Sequence, residues 1–205
     1  MALRRNFATG TGEAPILAEL MPLGFVYDSL ADLRHSGTRY RDAVPVLLSW
    51  LPKVSDLVVK EEIVRALSLP WAKPVAAQPM IAEFRKLSEA ADPTGTGLKW
   101  AIGNALAVVA DDSAFDELAD LVRDRCYGPA RQMIVLGLGK SRRPEAVDLL
   151  LGLLDAPDVE GHVVKALGKL KAPVARSALE NKLDADRAWV RFEARKALSK
   201  LPGTP

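Results

Sequence analysis

Residues 160–168 read Glu-Gly-His-Val-Val-Lys-Ala-Leu-Gly and end on a phrase, small residue, Leu, small residue, that occurs five times in the chain. We call the first small residue of each phrase the anchor. Successive anchors are 39, 32, 29 and 31 residues apart. The phrases are Ala66-Leu67-Ser68, Ala105-Leu106-Ala107, Gly137-Leu138-Gly139, Ala166-Leu167-Gly168 and Ala197-Leu198-Ser199. Self-similarity at a period of roughly 20 to 50 residues indicates a repeat array such as a solenoid.

A run of apolar residues at the i, i+3, i+4, i+7 spacing precedes each phrase, and this spacing places the side chains on one face of a helix. The first four runs are Val44/Leu47/Leu48/Leu51, Ala77/Met80/Ile81/Phe84, Phe115/Leu118/Ala119/Val122 and Val147/Leu150/Leu151/Leu154. In the fifth unit, Ala175, Ala178 and Leu179 are followed by Lys182. A second stripe, such as Val163/Ala166/Leu167, leads into each phrase. Each unit is therefore predicted to contain two short helices.

The small anchors have a predicted packing role. A side chain larger than Ala would hold two closely crossing helices apart, and Gly137 accepts a cost in helix propensity for such a contact. We therefore expect each anchor to mark the place where the two helices of one pair cross.

The predicted fold is all-α: an α-solenoid, or α-α superhelix, of about five helix pairs with an N-terminal helical cap. Residues 1–15 are predicted to be a flexible N-terminus and residues 16–40 the cap, whose second helix begins at Asp28 or Ser29. Residues 41–205 are expected to form a single domain with the cap. The predicted repeats are residues 41–73, 74–113, 114–143, 144–172 and 173–201.

The units resemble HEAT repeats of the short bacterial kind found in phycobilisome-lyase-like proteins. The pattern is carried by Val190-Arg191 through Ala197-Leu198-Ser199 and by Val159-Glu160 through Ala166-Leu167-Gly168. The resemblance covers roughly residues 40 to 201 and extends to uncharacterised bacterial HEAT-repeat proteins. It implies that the second helices line a concave groove. It leaves the function open, and the sequence supplies no nucleophile for bilin attachment.

Composition limits the classes of function. The 205 residues are 49% hydrophobic and 26% charged, and the net charge is +2, which argues against a dedicated polyanion binder. No stretch approaches the roughly 20 apolar residues of a membrane span. The single cysteine, Cys126, excludes an internal disulfide. We expect a cytoplasmic protein that does not bind membranes, and the sequence does not indicate its oligomeric state.

The predicted binding residues come from aligning the second helices on their anchors. Six residues before the anchor stand Lys60, Lys99, Arg131, Glu160 and Arg191, which are basic in four of five repeats. A recognition patch is predicted at Trp100, Asn104, Arg131 and Gln132, because Trp and Arg dominate binding hot spots. Further groove residues are predicted to be Lys60, Arg65, Arg191 and Arg195. The predicted partner is a protein or peptide held in the concave groove.

Patterns of catalytic, cofactor or metal chemistry are weak, so we predict no enzyme activity, no cofactor and no metal. Neither His35 nor His162 has a Cys or carboxylate at ligand spacing. Residues 137–141, Gly-Leu-Gly-Lys-Ser, imitate the end of a phosphate-binding P-loop, but position 134 is Ile rather than Gly and the run ends a helix.

The alternative function is nucleic-acid binding, including kinship with the alkylpurine DNA glycosylases that are built from HEAT-like repeats. The chain is similar to them in length, in a Trp on a second helix and in basic residues on the following repeats. That resemblance implies a catalytic Asp one turn after the Trp. Here Trp100 is followed one turn later by Asn104, an amide that cannot carry the charge of a carboxylate.

Overall fold

The structure, a computed structural model, describes residues 12–87 and 97–202, and all regular secondary structure in these two ranges is helical. Most of the predicted flexible segment lies outside the described residues, and the first helix begins at Ala14. The α-helices of the described residues are α1 (Ala14–Leu20), α2 (Leu30–His35), α3 (Val44–Trp50), α4 (Leu57–Leu67), α5 (Ala77–Lys86), α6 (Leu98–Val109), α7 (Phe115–Arg123), α8 (Gln132–Leu138), α9 (Glu145–Gly152), α10 (Glu160–Leu170), α11 (Arg176–Asn181) and α12 (Ala188–Leu198).

The helices pack as a solenoid of stacked pairs. Helices α3, α5, α7, α9 and α11 are the first helices of the pairs, and each packs against the second helix that follows it in the chain. The second helices, α4, α6, α8, α10 and α12, contact one another in sequence. Helix α1 packs on α3 and α2 packs on α4, so the N-terminal helices extend both layers. The predicted all-α solenoid is therefore confirmed.

The core lies between the two layers and includes most residues of the predicted stripes. Leu48 and Ala178 are only half-buried, and on α9 the stripe is shifted, because Ala146 and Leu149 are buried whereas Val147 and Leu151 are half-buried. In the second repeat, Ala77, Met80, Ile81 and Phe84 of α5 are all buried against the second helices. The equivalent residues of α7 are buried as well, from Phe115 to Val122. Because each stripe is covered by its own partner helix and by the neighbouring pair, the core is continuous along the stack.

The anchors contact the neighbouring second helix, so the prediction that they mark the crossing within one pair is wrong. A β-carbon on Gly137 would lie 3.0 Å from the Cα of Ala107, the last residue of the preceding phrase. One on Gly139 would lie 2.8 Å from the Cα of Ala166, the next anchor. Residues two apart differ by about 200° around a helix. Each phrase therefore presents one small residue to the helix before it and one to the helix after it.

Helix caps and one buried tyrosine fix the N-terminal end. The Ser29 hydroxyl accepts a hydrogen bond from the Asp32 N–H, as the sequence predicts for the second cap helix. The hydroxyl of Tyr40, which is buried, donates to the carbonyl of Ala66 at 3.0 Å. Its ring meets Trp71 edge to face, with 5.9 Å between centroids. Tyr40 thus ties the segment before α3 to the first anchor.

Replacement of Ala166 by Leu should destabilise the protein by roughly 1–3 kcal/mol, the usual cost of overpacking, because the longer side chain would force α8 and α10 apart. Thermal or denaturant unfolding measures the change. Ala82→Leu, on the exposed side of α5, is the matched control and should leave the free energy of unfolding nearly unchanged. An Ala166→Leu variant as stable as the wild type would show that these helices do not approach as closely as described.

Candidate functional site

One side of the second-helix layer is open to solvent. Residues one and five before each anchor lie four apart, which places them on the same side of the helix, opposite the buried stripe. The residue three after the anchor is a further four residues along and therefore lies on the same side. We call this surface the second-helix face, and its side chains are all exposed or half-buried. Its members at these positions are Glu61, Arg65, Trp100, Asn104, Gln132, Leu136, Lys140, Lys165, Lys169, Phe192 and Lys196. We include with them the flanking residues Val58, Met133, His162 and Trp189, which stand four or eight before their anchors.

Four of the predicted binding residues lie on this face. Arg65 is exposed and pairs with Glu61 one turn earlier on α4. Trp100 and Asn104 are half-buried on α6, and the Asn104 amide donates to the Trp100 carbonyl at 3.2 Å. The Gln132 amide donates to the carbonyl of Asp158 at 2.7 Å, which ties α8 to the segment before α10. Their predicted role in binding a partner stays a prediction.

Two other predicted groove residues, Lys60 and Arg131, are buried, so their predicted exposure is wrong. Lys60 Nζ contacts Glu83 Oε2 at 2.6 Å, and both residues are less than 10% exposed. The Arg131 guanidinium, 1% exposed, pairs with Asp158 and donates to the carbonyl of Val122 at 2.6 Å. These cations connect repeats inside the stack instead of facing a partner.

The error has a geometric cause. A residue six before the anchor and a residue one before it are five apart, which separates them by about 140° around the helix. The residues six before the anchors therefore form a column that points toward the first helices and the inter-repeat turns. Lys99, which belongs to it, is buried with its Nζ 4.8 Å from the centroid of Tyr127 and 5.6 Å from that of Phe84.

The electrostatics of Glu83 agree with a structural role. Burial raises the pKa of the Glu83 carboxyl, but hydrogen bonds from Lys60 and Lys86 outweigh this effect and the net shift is downward. Glu160, in the same column as Lys60, behaves alike, with its pKa raised by burial and lowered more strongly by Arg187 and Lys182. Both carboxylates are therefore held charged, Glu83 by Lys60 of α4 and Lys86 of its own helix, and Glu160 by two cations from the segment between α11 and α12.

The last two predicted residues lie at the C-terminal end of the stack. Arg191 is half-buried and donates to the carbonyls of Ala185 and Asp186, at 2.6 and 2.7 Å. Arg195 stands two before its anchor, the position that Gly103 uses to meet the next second helix. Because α12 is the last second helix of the described residues, Arg195 is exposed at the end of the stack and not on the second-helix face.

Sequence reasoning missed an aromatic cluster on α10 and α12. Trp189 and Phe192 are 42% and 56% exposed, although both are large and apolar. The Trp189 ring lies over Gly161, where a β-carbon would be only 2.0 Å from its Cζ3 atom. The His162 ring meets Trp189 edge to face at 5.1 Å between centroids. The sequence offered one signal for this cluster. Phe192 stands five before its anchor, and in the preceding repeat the same position is Gly161, which leaves room for a large side chain.

Charge is distributed unevenly along the second-helix face. On α4 the carboxylates of Glu61 and Glu62 pair with Arg65 and Arg34. The face of α8, α10 and α12 instead carries Lys140, Lys165, Lys169 and Lys196, and the ion pairs found among the described residues of these repeats use none of them. Burial lowers the pKa of Lys169, and the nearby lysines Lys140, Lys165 and Lys200 lower it further, although Glu193 of α12 acts in the opposite direction. The C-terminal part of the face is therefore a cluster of like charges.

A cleft of about 530 Å³ opens beside the ends of α6 and α8, where the P-loop-like run lies. Its polar groups hold the repeats together. Lys140 Nζ donates to the carbonyl of Ala107 at 2.9 Å. The Asp112 carboxylate accepts from the Ser141 hydroxyl at 2.6 Å and from the Arg142 N–H at 3.1 Å. The run therefore caps helix ends and links repeats.

The described ranges contain neither a metal-ligand cluster nor a membrane-spanning helix. Within residues 12–87 and 97–202, no group of three or more His, Cys, Asp and Glu side chains is arranged to hold a metal ion. No helix in the same ranges has the length and apolar character needed to cross a bilayer.

The stacked helix pairs and their open face define the class of protein, an α-solenoid repeat protein. Residues 128–199, which include α8 to α12, match the family model described as HEAT repeats. These residues make up about a third of the chain, so the match shows HEAT repeats in its C-terminal part. Among curated proteins, none matches the chain.

Replacement of Arg131 by Ala should destabilise the protein by roughly 2–4 kcal/mol, because it leaves Asp158 and the Val122 carbonyl without their cation. Denaturant unfolding measures this loss. Lys196→Ala, an exposed lysine on α12, is the control and should change stability by less than about 0.5 kcal/mol. Equal stability of the two variants would contradict the structural role of Arg131.

Acidification should destabilise the protein through His162. Burial, with Lys165 and Arg187 nearby, lowers the pKa of His162 from 6.5 to about 4. Below pH 6.5 His162 is protonated in the unfolded chain but stays neutral in the folded chain. The free energy of unfolding therefore falls as the pH falls toward 4. Allowing for the partial exposure of the ring, the loss should be about 1 kcal/mol at pH 5.

Urea unfolding between pH 7 and 5 measures this effect, and His162→Gln is the comparison. The variant keeps a neutral polar side chain and should lose most of the pH dependence in this window. Glu83 and Glu160, whose pKa values are lowered, contribute only at lower pH. The same slope in both proteins would assign the effect to another group.

Proposed function

We propose that this protein is a non-enzymatic scaffold or adaptor that binds a protein or peptide through its second-helix face. The observation that carries the proposal is the exposure of Trp189 and Phe192 on a face built from stacked helices. Exposed aromatic side chains at one place are typical of binding sites, because their burial against a partner is strongly favourable. HEAT repeats are commonly protein-interaction scaffolds, which agrees with this proposal.

The architecture favours binding without a large rearrangement. Each second helix is held by the small-residue contacts and by buried pairs such as Lys60–Glu83. The face side chains are therefore presented by a rigid layer, and a partner would not have to order it. Of the residues predicted from sequence, Arg65, Trp100, Asn104 and Gln132 remain candidates for partner contacts. The phycobilisome-lyase-like subtype, the bacterial origin and the cytoplasmic location stay predictions.

Nucleic acid remains the alternative partner, because Lys196 lies on the same helix as the exposed aromatic rings, and neither it nor Lys165 of α10 enters an ion pair found among the described residues. The glycosylase form of this alternative has less support. Asn104 occupies the position where that family has its catalytic Asp, and its amide is hydrogen-bonded to the Trp100 carbonyl.

Site-specific photo-crosslinking in the cells that make the protein tests the proposal. A benzophenone amino acid is placed on the second-helix face at Arg65 or Lys165, and on a first helix at Asp148, which is exposed on α9. We expect crosslinked species from the face positions that proteinase K removes and nucleases do not, with few from Asp148.

Two results would contradict the proposal. Crosslinks of equal yield from Asp148 and the face positions would remove the second-helix face as the binding surface. Adducts that nuclease digests, together with retardation of duplex DNA at about 150 mM salt, would favour the nucleic-acid alternative.

A further inference from the structure

Resting on the proposed function, we propose that the partner is a short acidic segment carrying apolar side chains, and that it binds to the α8, α10 and α12 part of the second-helix face. This places the main site one to three repeats beyond the predicted centre at Trp100. We call this part of the face the basic-aromatic patch, and it consists of Met133, Leu136, His162, Lys165, Lys169, Trp189, Phe192 and Lys196.

The positive charge of the patch supports an acidic occupant. Lys165 and Lys196 stand immediately before successive anchors, so they repeat along the stack on the same side of α10 and α12. Neither takes part in the ion pairs found among the described residues of these repeats. Burial and the neighbouring Lys140, Lys165 and Lys200 lower the pKa of Lys169, and the Glu193 carboxylate offsets only part of this effect. Carboxylates of a partner would relieve this like-charge repulsion.

The apolar side chains of the patch indicate that the partner carries apolar groups as well as negative charge. Phe192 is 56% exposed and Trp189 is 42% exposed. On α12, Phe192 lies about one turn after Trp189 and one turn before Lys196. Trp189 is held in place from below by its close approach to Gly161 and from the side by His162. Met133 and Leu136, half-buried on α8, continue the apolar surface. A partner that buries these side chains must bring apolar groups of its own.

The opposite end of the face limits the length of the occupant. Glu61 lies at the N-terminal end of the second-helix face with Glu62 beside it, and their ion pairs with Arg65 and Arg34 leave no surplus of positive charge there for a long polyanion. Packed helices are about 8–10 Å apart, so the patch spans about 16–20 Å from α8 to α12. An extended peptide covers that distance with about six residues at roughly 3.3 Å each. The geometry favours a short acidic segment over a nucleic-acid strand that tracks the whole groove.

Fluorescence anisotropy at about 150 mM salt with defined probes tests the proposal. The main probe is a labelled twelve-residue peptide that alternates Glu with Leu and Phe. The comparison probes replace every Glu by Gln, or every Leu and Phe by Ser, and a fourth probe is single-stranded dT12. We expect the wild-type protein to bind the Glu/Leu/Phe peptide at least roughly ten-fold more tightly than any other probe.

Variants locate the binding site. Lys165→Glu/Lys196→Glu should weaken binding of the main probe by roughly ten-fold or more, and Phe192→Ala by roughly five-fold. The matched control Arg39→Glu/Arg125→Glu makes the same change in net charge at exposed positions outside the α-helices and should bind like the wild type. Thermal unfolding of each variant ensures that folded proteins are compared.

Each result supports or overturns the proposal. Equal binding by the two charge-reversed proteins overturns the location of the site, and tighter binding of dT12 overturns the acidic-peptide chemistry. Failure of the wild type to bind the main probe, while protein crosslinks from Lys165 persist, overturns this inference and leaves the proposed function standing. Loss of those crosslinks as well would remove both.

Discussion

The contact between successive second helices, made by small residues, is the constraint on which the rest of the structure depends. Gly139 and Ala166 meet with almost no side chain between their backbones, and Gly168 meets Ala197 in the same way. Such contacts set both the separation of neighbouring helices and their register, because only one alignment brings small residues together. Once the register is fixed, equivalent positions of all second helices form parallel columns. One column becomes the interior, another the boundary with the first helices, and a third the open face.

Much of the fold could be predicted from sequence because periodicity directly reports which residues share a helix face. The stripes from Ala77 to Phe84 and from Phe115 to Val122 are buried as the spacing indicated. Periodicity does not report which neighbour a face meets. The anchors could therefore be predicted to lie at a close helix crossing, but not at the crossing between successive second helices. Tyr40 shows the same limit, since its hydrogen bond to Ala66 joins residues 26 apart that no local pattern connects.

The candidate site was less predictable. A charged residue in a sequence suggests an exposed side chain, whereas its actual burial depends on partners that are distant in the chain. Lys60 pairs with Glu83 and Arg131 with Asp158, each across 23 or more residues and across a repeat boundary. A helical-wheel calculation alone would have separated these cations from Arg65 and Asn104. It would not have revealed that carboxylates stand opposite them. The Trp189–Gly161 contact, between residues in different repeats, was likewise outside the reach of sequence patterns.

The two sets of cations show how one repeat can serve both stability and recognition. Those on the interior side, such as Lys60 and Arg131, meet fixed carboxylates and carbonyls, so their charge is compensated within the fold. Those on the open face, such as Lys165 and Lys196, take part in none of the ion pairs found among the described residues of these repeats. Removing an interior cation leaves a buried anion and weakens the stack. Removing a face cation reduces mutual repulsion and leaves the stack intact, so the face lysines are not explained by stability. Their repetition beside exposed aromatic rings is accounted for by a ligand that brings both negative charge and apolar surface.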